Sequence, residues 1–322
     1  MPEILVTENI TGAAMDLLRK DMDVAFEPDL WSDPEKLKKA VKGVKALIVR
    51  NQTQVTEEII AAADSLQIIA RAGAGLDNID TKAAEAAGIV VSYTPQANSV
   101  SVAELAVGLM ISLARQIPAA DWDTRAGGWN RQIFTGGELY GKTLGVVGFG
   151  RIGVLTATRA KVFGMKIIGH DDYVDPEAAH VKELDAKMVS LDGLLAEADF
   201  ITCHVPLTDG TREMFNDELF GKMKSSAFFI NTSRGEVVDE NALGRALQND
   251  QIAGAALDVR QVEPPDASSP LNGLTNVILT PHIAAFTNEA QSRVVDAVCR
   301  DVQAVLEGGS ATDYFNLPKP RL

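Results

Sequence analysis

The sequence predicts an α/β protein built from two doubly wound parallel sheets. Short apolar runs alternate with helical segments along almost the whole chain, a pattern typical of parallel strands joined by helices. Near the middle, a glycine-rich turn between residues 148 and 153 joins one such run to a helix. With 322 residues, of which 46% are hydrophobic, the chain is long and apolar enough for two domains with cores of their own.

The first domain is predicted from five apolar runs and the helical segments between them. The expected strands are residues 4–7, 24–26, 46–49, 67–70 and 89–92, and the expected helices include residues 13–19 and 57–63. This domain ends near Pro95. Residues 98–116 then follow helical spacing as one long segment, with Pro118 beyond its end. We expect this helix to lead into the second domain.

Residues 119–141 show no clear period and are expected to form an extended excursion before the next strand. They contain five glycines and the large aromatic residues Trp122, Trp129 and Phe134. Because aromatic residues are enriched where proteins contact each other, this excursion is a candidate dimer contact. Ordinary packing explains the same residues equally well.

The second domain is predicted from six further strands. They are expected at residues 144–147, 166–169, 200–204, 227–232, 255–259 and 277–280. Residues 287–306 carry valines at helical spacing, and Gly308 and Gly309 mark the end of this predicted helix. We expect the end of the chain to return to the first domain, which then comprises residues 1–98 and 285–322 and receives residues 99–284 as an insertion. Two chain crossings of this kind would border a cleft.

The glycine-rich turn has the spacing of a dinucleotide-binding motif. Gly148 permits a tight turn, Gly150 lets a pyrophosphate approach the backbone, and Gly153 lets the helix pack closely on the strand. The helix N-terminus, which includes Arg151 and Ile152, offers N–H groups and the positive end of the helix dipole to an anion. The sequence therefore predicts a dinucleotide at this turn.

An acidic pair after the following strand indicates which dinucleotide binds. Asp171 comes eighteen residues after the last glycine of the motif, near the position of the acid that accepts hydrogen bonds from the ribose. Asp172 adds a second negative charge that would repel a 2′-phosphate, and no arginine follows within the next several residues. The predicted cofactor is therefore NAD rather than NADP.

Composition narrows the possible partners and the cellular location. The net charge is −14 and the basic residues are scattered, so neither nucleic acid nor an anionic membrane is an expected partner. Cys203 and Cys299 lie far apart without Cys/His ligand spacing, which favours reduced thiols and no metal site. No signal peptide is visible, and the longest apolar stretch, residues 103–114, is too short to span a bilayer. We expect a cytoplasmic protein.

Ligands of doubly wound sheets bind outside the carboxyl ends of the strands, so residues that follow strands are candidate site residues. In the second domain they include Arg234, Glu263 and His282. Arg234 can hold a carboxylate in bidentate geometry, while His282 can exchange a proton near neutral pH, oriented by Glu263. Alone, such an arginine or histidine would more often be structural. Together, beside a dinucleotide motif, they favour hydride transfer to or from a carbonyl carbon.

Other strand ends supply further candidates. The residues expected to line the cofactor site are His204, Pro206 and Thr232. In the first domain, Arg50 and Arg71 end strands, and the N–H groups of Ala74 and Gly75 follow. Arg50, Ala74 and Gly75 are expected to bind an anionic substrate. Ion pairing alone is an equally good explanation for either arginine.

Several motifs together resemble a known family. They are Arg71 to Asp80, Asn98 to Leu105, Gly148 to Gly153, Asn231 to Gly235, Ala256 to Val259 with Glu263 to Pro265, and Thr280 to Ile283. These residues resemble the D-isomer-specific 2-hydroxyacid dehydrogenases, in particular the phosphoglycerate dehydrogenase branch. The resemblance implies a Rossmann NAD-binding domain inserted into a flavodoxin-like substrate domain, and a homodimer built around the NAD-binding domains.

The same resemblance assigns expected roles to individual residues. It implies Arg234, Glu263 and His282 as the catalytic residues, with Asp258 near the nicotinamide amide and Ala284 beside the ring. The catalytic arginine and histidine would also contact the substrate. The family pattern further places Asp171 on the ribose and the backbone of residues 74 and 75 on the substrate carboxylate.

The chain departs from the family pattern at several positions. Arg260 stands where the family usually has Phe, and residues 284–286 replace a run that commonly contains glycine, so the wall beside the nicotinamide is expected to differ. His170 replaces a usual Tyr, and Asn51 stands where Ser is common. The chain also ends before the regulatory C-terminal domains of longer phosphoglycerate dehydrogenases, so serine feedback through them is not expected.

The sequence therefore predicts an NAD-dependent enzyme that transfers hydride between nicotinamide and C2 of a small anionic 2-hydroxy or 2-keto acid. Arg50 and Arg71 are compatible with a second anionic group on that substrate, a phosphate or a sulfonate. A glyoxylate or hydroxypyruvate reductase is the main alternative, and a preference for NADP would favour it. The alternative of another class is an NADH-sensing interaction protein similar to the corepressors that resemble this family. The lack of a long disordered tail disfavours it.

Overall fold

The computed structural model describes residues 2–321. Its strands are β1 Ile4–Val6, β2 Val24–Phe26, β3 Ala46–Val49, β4 Ile68–Arg71, β5 Val90–Ser92, β6 Thr143–Val147, β7 Lys166–His170, β8 Lys187–Met188, β9 Phe200–Cys203, β10 Phe228–Asn231, β11 Gly254–Leu257 and β12 Val277–Leu279. Its α-helices are α1 Ala13–Asp21, α2 Pro34–Ala40, α3 Glu57–Ala62, α4 Thr81–Ala86, α5 Ser99–Arg115, α6 Ile117–Arg125, α7 Arg151–Val162, α8 Ala179–Glu183, α9 Leu191–Glu197, α10 Asp217–Gly221, α11 Glu240–Gln248 and α12 Asn288–Leu306.

The chain divides into two compact units, each with its own sheet. Unit 1 consists of Met1–Asn98 with Phe286–Leu322, and unit 2 is Ser99–Ala285. Unit 1 is thus assembled from both ends of the sequence. The assignment of substrate binding to one unit and NAD binding to the other as separate domains stays a prediction.

Unit 1 is a five-stranded parallel sheet in the order β2-β1-β3-β4-β5, which is the flavodoxin-like order. Successive residues of its central strands face opposite cores. Ile4 packs in the core that includes Val294 and Val298 of α12, whereas Leu5 packs in the core that includes Leu37 and other residues of α2 and α3. Both faces of the sheet are therefore covered by helices, as expected for all-parallel strands.

Unit 2 is a seven-stranded parallel sheet in the order β12-β11-β10-β9-β6-β7-β8. Counted from β6, its first six strands follow the 3-2-1-4-5-6 order of a Rossmann sheet, with one strand added at an edge. Val146 faces a core that includes residues of α5 and α7, and Val147 faces a core that includes residues of α9, α10 and α11. The predicted fold class, two doubly wound parallel sheets, is confirmed.

The predicted excursion after the long helix is wrong in part, because Ile117–Arg125 forms helix α6. Gln116 adopts a left-handed conformation with φ 52° and separates α6 from α5. Pro118 lies in the first turn of α6, where the missing N–H costs no intrahelical hydrogen bond. The proline therefore starts a second helix instead of following the end of the first one.

The remaining predicted strands agree with the structure to within two residues at each end. The two-residue strand β8 was not predicted, since so short a strand has no readable alternation. Within residues 2–321, no single helix combines the length and the apolar composition needed to cross a membrane. The bent pair α5 and α6 passes that test only when its two members are taken together.

Candidate active site

The glycine-rich turn has a separate structural reason for each glycine. Gly148 has φ +90°, and a Cβ there would lie 2.7 Å from the carbonyl carbon of His204. A Cβ at Gly153 would clash with the carbonyl oxygen of Gly148. At Gly150, by contrast, a Cβ would meet no other heavy atom within 4 Å, so this residue leaves open space at the start of α7. The turn thus combines close packing on both sides with room for a ligand at its tip.

The Asp171 carboxylate is aimed at this turn from the end of β7. One oxygen accepts a hydrogen bond from the Phe149 N–H at 2.8 Å, and the other accepts from the Tyr173 N–H at 2.9 Å. Each carboxylate oxygen can accept a further hydrogen bond. The side chain is therefore fixed in place while keeping the capacity to bind a pair of hydroxyl groups.

Arg151 and Ile152 begin helix α7 immediately after the second glycine. They lie at the helix terminus where backbone N–H groups and the helix dipole attract anions. Arg151 is exposed and Ile152 is half-buried. The structure confirms that a helix begins here, whereas anion binding at its terminus and the contacts of a dinucleotide stay predictions.

The end of β10 carries Arg234 in a short, well-braced turn. The side-chain amide of Asn231 donates to the Arg234 carbonyl at 2.9 Å, and the Asn231 side-chain oxygen accepts from the Ser233 N–H at 2.9 Å. The guanidinium of Arg234 donates to the Ser233 carbonyl at 2.8 Å. Thr232 is buried in the same turn, and its hydroxyl finds no partner among the described residues.

Asp258 follows β11 and holds the loop that follows β12. Its carboxylate, which has no solvent exposure, accepts from the Thr280 hydroxyl at 2.6 Å, the Ile283 N–H at 2.9 Å and the Ala284 N–H at 2.8 Å. The Asp258 carbonyl accepts from the His282 N–H at 2.8 Å. His282 has φ 54°, a conformation that is unfavourable for a residue with a side chain. We infer that the Asp258 contacts maintain it.

His282 and Glu263 form the central polar contact of this edge. The imidazole Nδ1 lies 2.7 Å from Glu263 Oε2, and both side chains keep partial exposure, 40% and 34%. Burial raises the pKa of the Glu263 carboxyl, but hydrogen bonds from His282 and from the Arg260 N–H, with the positive charge of Arg234, lower it more, so its pKa lies below the usual value. Glu263 is therefore ionised at neutral pH.

Both other predicted catalytic residues influence the Glu263 carboxylate. The charge of Arg234 acts on the Glu263 carboxylate, and His282 is hydrogen-bonded to it. All three follow neighbouring strands of unit 2, since β10, β11 and β12 are adjacent in the sheet. Their grouping follows the strand-end rule used on the sequence.

His204, at the end of β9, lies beside the glycine turn as a neutral imidazole. Burial lowers its pKa to about 3. Its Nε2 lies 3.0 Å from the Thr202 hydroxyl, and its Nδ1 has no partner among the described residues. Pro206 is exposed two residues later, and its carbonyl accepts from the Thr211 hydroxyl at 2.6 Å. The His204 backbone lies against Gly148 of the turn, and contacts of His204 and Pro206 with a cofactor stay a prediction.

Both backbone polar groups of Ala284 are hydrogen-bonded inside unit 2. Its N–H donates to Asp258 and its carbonyl accepts from the Ser101 hydroxyl of α5. The first residue of the run that departs from the family pattern is thus held by α5 and by Asp258.

In unit 1, Arg50 and Arg71 lie at the same edge of the sheet. Val49, which precedes Arg50, pairs with Arg71 across β3 and β4. The Arg50 guanidinium donates to the side-chain oxygen of Gln291 and lies 5.6 Å from the centre of the Phe286 ring. Burial lowers the pKa of Arg50, an effect that the charge of Glu8 partly offsets.

Ala74 and Gly75 follow Arg71 at the same edge and are half-buried. Gly73 packs directly under the Arg71 guanidinium, where a Cβ would clash with Nη1. The turn that presents residues 74 and 75 is therefore shaped around this arginine side chain. Its contact with a substrate stays a prediction.

Two buried residues that brace the Arg50 loop escaped the sequence analysis. Glu8 is 3% exposed and accepts from the Arg50 N–H at 2.8 Å, the Thr53 N–H at 3.0 Å and the Thr53 hydroxyl at 2.8 Å. The Asn78 amide donates to the carbonyls of Arg50 and Thr53 at 3.0 and 2.6 Å. An acid two residues after a strand is the signal that could have identified Glu8.

Known proteins share sequence and fold with this chain. Residues 107–284 match the family described as D-isomer specific 2-hydroxyacid dehydrogenase, NAD binding domain. A D-3-phosphoglycerate dehydrogenase of Methanocaldococcus jannaschii is 44% identical over 99% of this chain, and the chain spans 60% of the length of that relative.

Two solved structures are also similar over nearly their whole length. A D-lactate dehydrogenase from Aquifex aeolicus, in complex with NAD and lactic acid, has a TM-score of 0.88 and 28% identity, with coverage of 98% of this chain and 99% of the other. A glyoxylate reductase from Paecilomyes thermophila has a TM-score of 0.85 and 33% identity, with coverage of 98% of both chains.

Proposed function

The chain belongs to the D-isomer specific 2-hydroxyacid dehydrogenase family, and from this premise we propose that it is an NAD-dependent dehydrogenase of a small anionic 2-hydroxy acid. The reaction is hydride transfer between C2 of the acid and nicotinamide, with the 2-keto acid as the oxidised product. The observation that carries the proposal is the Glu263–His282 hydrogen bond of 2.7 Å, formed within reach of the Arg234 charge.

The glycine turn and Asp171 are the residues that would hold NAD. Bound NAD supplies the hydride acceptor for oxidation, and NADH the donor for reduction. The open tip at Gly150 suits a pyrophosphate, and the fixed carboxylate of Asp171 suits ribose hydroxyls. His204, Pro206, Thr232, Asp258 and Ala284 are proposed to complete the cofactor site.

Proton transfer is assigned to His282. Because Nδ1 is occupied by Glu263, the exchangeable position is Nε2, which takes the proton of the substrate hydroxyl during oxidation and returns it to the carbonyl oxygen during reduction. The ionised Glu263 keeps the ring oriented and stabilises its charged form. Arg234 is proposed to hold the C1 carboxylate with two parallel N–H donors.

We extend the proposal to unit 1, where Arg50 and the N–H groups of Ala74 and Gly75 bind anionic groups of the substrate. The partly desolvated, permanently charged Arg50 suits a phosphate or a sulfonate. If Arg50→Ala changes the KM for phosphorylated and for plain 2-hydroxy acids by the same factor, this second anionic group is excluded.

Steady-state kinetics test the main proposal. The purified chain is assayed with NAD and 3-phosphoglycerate, sulfolactate, glycerate or lactate, and with NADH and the matching keto acids. We expect turnover with at least one pair, and a loss of about 100-fold to 10,000-fold in kcat for His282→Gln. An equally active His282→Gln variant would overturn the assignment.

The glyoxylate reductase relative keeps a second candidate function open. Preference for NADPH, with glyoxylate or hydroxypyruvate as the fastest substrates, would support that reductase. The acidic pair Asp171 and Asp172 favours NAD instead. Tight NADH binding without turnover on any substrate would favour the NADH-sensing interaction protein.

We also propose a homodimer formed through unit 2. Three large side chains near α6 are strongly exposed: Trp122 at 74%, Trp129 at 76% and Tyr140 at 77%. Exposed aromatic residues of this kind are enriched at interfaces between protein chains. Sedimentation velocity should give a mass near twice 34.4 kDa, and Trp122→Glu should shift the protein toward the monomer.

A further inference from the structure

A buried arginine lies beside the proposed catalytic residues and takes no part in the proposed proton and hydride transfer. Arg260 directly follows Asp258 and Val259 after β11, and its side chain is 7% exposed. Its guanidinium points to Glu240, with Nε 3.0 Å from Oε1 and Nη2 2.8 Å from Oε2. Nη2 also donates to the Ser269 hydroxyl at 2.6 Å.

The Glu240 carboxylate binds the backbone of this segment as well as the arginine side chain. Glu240 is the first residue of α11, and its Oε1 also accepts from the Gln261 N–H at 2.7 Å. Side chain and backbone of residues 260–261 are thus attached to one buried carboxylate. Such a pair is geometrically demanding, since a bidentate arginine and a carboxylate fit in one plane.

The backbone held in this way contacts two of the proposed catalytic residues. The Arg260 N–H donates to Glu263 Oε1 at 2.9 Å, which leaves Oε2 for His282 Nδ1. The Arg260 carbonyl oxygen lies so close to Gly235 that a Cβ there would clash with it. Gly235 directly follows Arg234, so the same segment is packed against the turn that carries the arginine.

We propose that Arg260 and Glu240 are positioning residues that fix the residue 260–261 backbone, so that the Arg260 N–H aligns Glu263 on His282. This inference rests on the proposed function. The guanidinium itself points away from the reacting groups and acts through the backbone it anchors. Removal of the Arg260 guanidinium leaves the backbone N–H of residue 260 present but free to move. A displacement of about 1 Å at a catalytic group can cost about 100-fold in rate.

The primary variant is Arg260→Met, with Arg245→Met as its matched control. Arg245 lies on α11 and makes an equally bidentate pair with Asp217, at 3.0 and 2.6 Å, but both side chains are more than half exposed. We expect kcat of Arg260→Met to fall about 10-fold to 100-fold, with the KM for NAD unchanged. Arg245→Met should retain the kcat of the wild type.

A second pair of variants separates positioning from stability. Replacing only one partner leaves a buried charge, whereas replacing both with apolar residues often restores stability. The double variant Arg260→Met with Glu240→Leu should therefore regain much of the melting temperature while kcat stays low. Arg260→Lys, which keeps the charge without the fork, should have intermediate activity. Wild-type kcat in the double variant would overturn the proposal.

The pH profile and the His282 ring give readouts that stability alone does not change. A mobile Arg260 N–H removes one hydrogen bond that lowers the pKa of Glu263. The acid limb of the kcat profile for keto-acid reduction, in which His282 must start protonated, should therefore move to higher pH. Nitrogen NMR of histidine-labelled protein, assigned with His282→Gln, reports the hydrogen bond at His282 Nδ1. The ring-nitrogen chemical shifts of His282 at one fixed pH should change in the double variant and stay at their wild-type values in Arg245→Met. Unchanged His282 ring-nitrogen shifts in that double variant would overturn the inference, even if no substrate is turned over. Absence of turnover in the wild type would count only against the proposed function.

Discussion

Units 1 and 2 use the same arrangement to support their candidate binding loops. In each unit a buried carboxylate that follows one strand holds the loop that follows the neighbouring strand. Glu8 after β1 binds the loop after β3, and Asp258 after β11 binds the loop after β12. Each carboxylate accepts backbone N–H groups and one threonine hydroxyl, from Thr53 in unit 1 and from Thr280 in unit 2.

The loops that these carboxylates hold present different chemistry. The loop in unit 1 carries Arg50, a permanent cation, whereas the loop in unit 2 carries His282, which can gain and lose a proton. All four histidines of the chain lie in unit 2. The comparison teaches that one means of holding a loop positions a permanent cation in one unit and an imidazole in the other.

Among changes to the residues that hold the two loops, the largest effect is expected for Asp258→Asn, which keeps the size of the side chain. An amide nitrogen would face an N–H donor in place of a carboxylate oxygen, and the loop that carries His282 would shift. We expect kcat/KM to fall about 100-fold, equivalent to the cost of about 1–3 kcal/mol for an unsatisfied buried group. Steady-state kinetics measure kcat and KM of the variant, and we expect the fall in kcat to account for most of the loss in kcat/KM.

Glu8→Gln is the matched change in unit 1 and should have a smaller effect of a different kind. Because Arg50 is proposed to bind the substrate without transferring a proton, the KM for the substrate should rise about tenfold while kcat changes little. An equal loss of kcat in the two variants would contradict the division of roles between the two loops.

The pH dependence of stability should differ between the units. The pKa of His204 is about 3 in the folded protein, below its ordinary value of 6.5, so the unfolded chain takes up a proton first as the pH falls. Its contribution to stability is complete above pH 6.5 and is lost progressively from there toward pH 3, by at most about 1.4 kcal/mol per pH unit.

Hydrogen exchange, corrected for the intrinsic pH effect, measures this loss unit by unit. We expect unit 2 to lose protection between pH 6.5 and pH 5, and His204→Gln to reduce that loss. Unit 1, which contains no histidine, should respond less over the same range. Equal slopes in the wild type and in His204→Gln would show that His204 is not the group responsible.

The smallest effect is expected for Asn78→Ala. It removes two hydrogen bonds to the carbonyls of Arg50 and Thr53 but leaves the Glu8 contacts in place. We expect a loss of about 1 kcal/mol in stability and a rise in substrate KM of about threefold. A larger effect than that of Glu8→Gln would mean that the amide, and not the carboxylate, holds the Arg50 loop.

Several features of the site could be read directly from the residues. The three glycines, Asp171 and the three proposed catalytic residues were found because the strand-end rule and the motif spacing are local in sequence. The helix α6 was missed, since Pro118 was interpreted as the end of one helix and not as the first turn of another.

The sequence by itself determined the two parallel sheets, the dinucleotide motif and the set of polar residues at the strand ends. These follow from apolar periodicity and from residue types at fixed offsets. Only the tertiary structure decided how those residues are held: Glu8 binds a loop more than 40 residues away in sequence, and Arg260 turns away from the proposed site toward Glu240. Such contacts depend on which atoms the packed sheet brings within about 3 Å, and no periodicity in the chain carries that information.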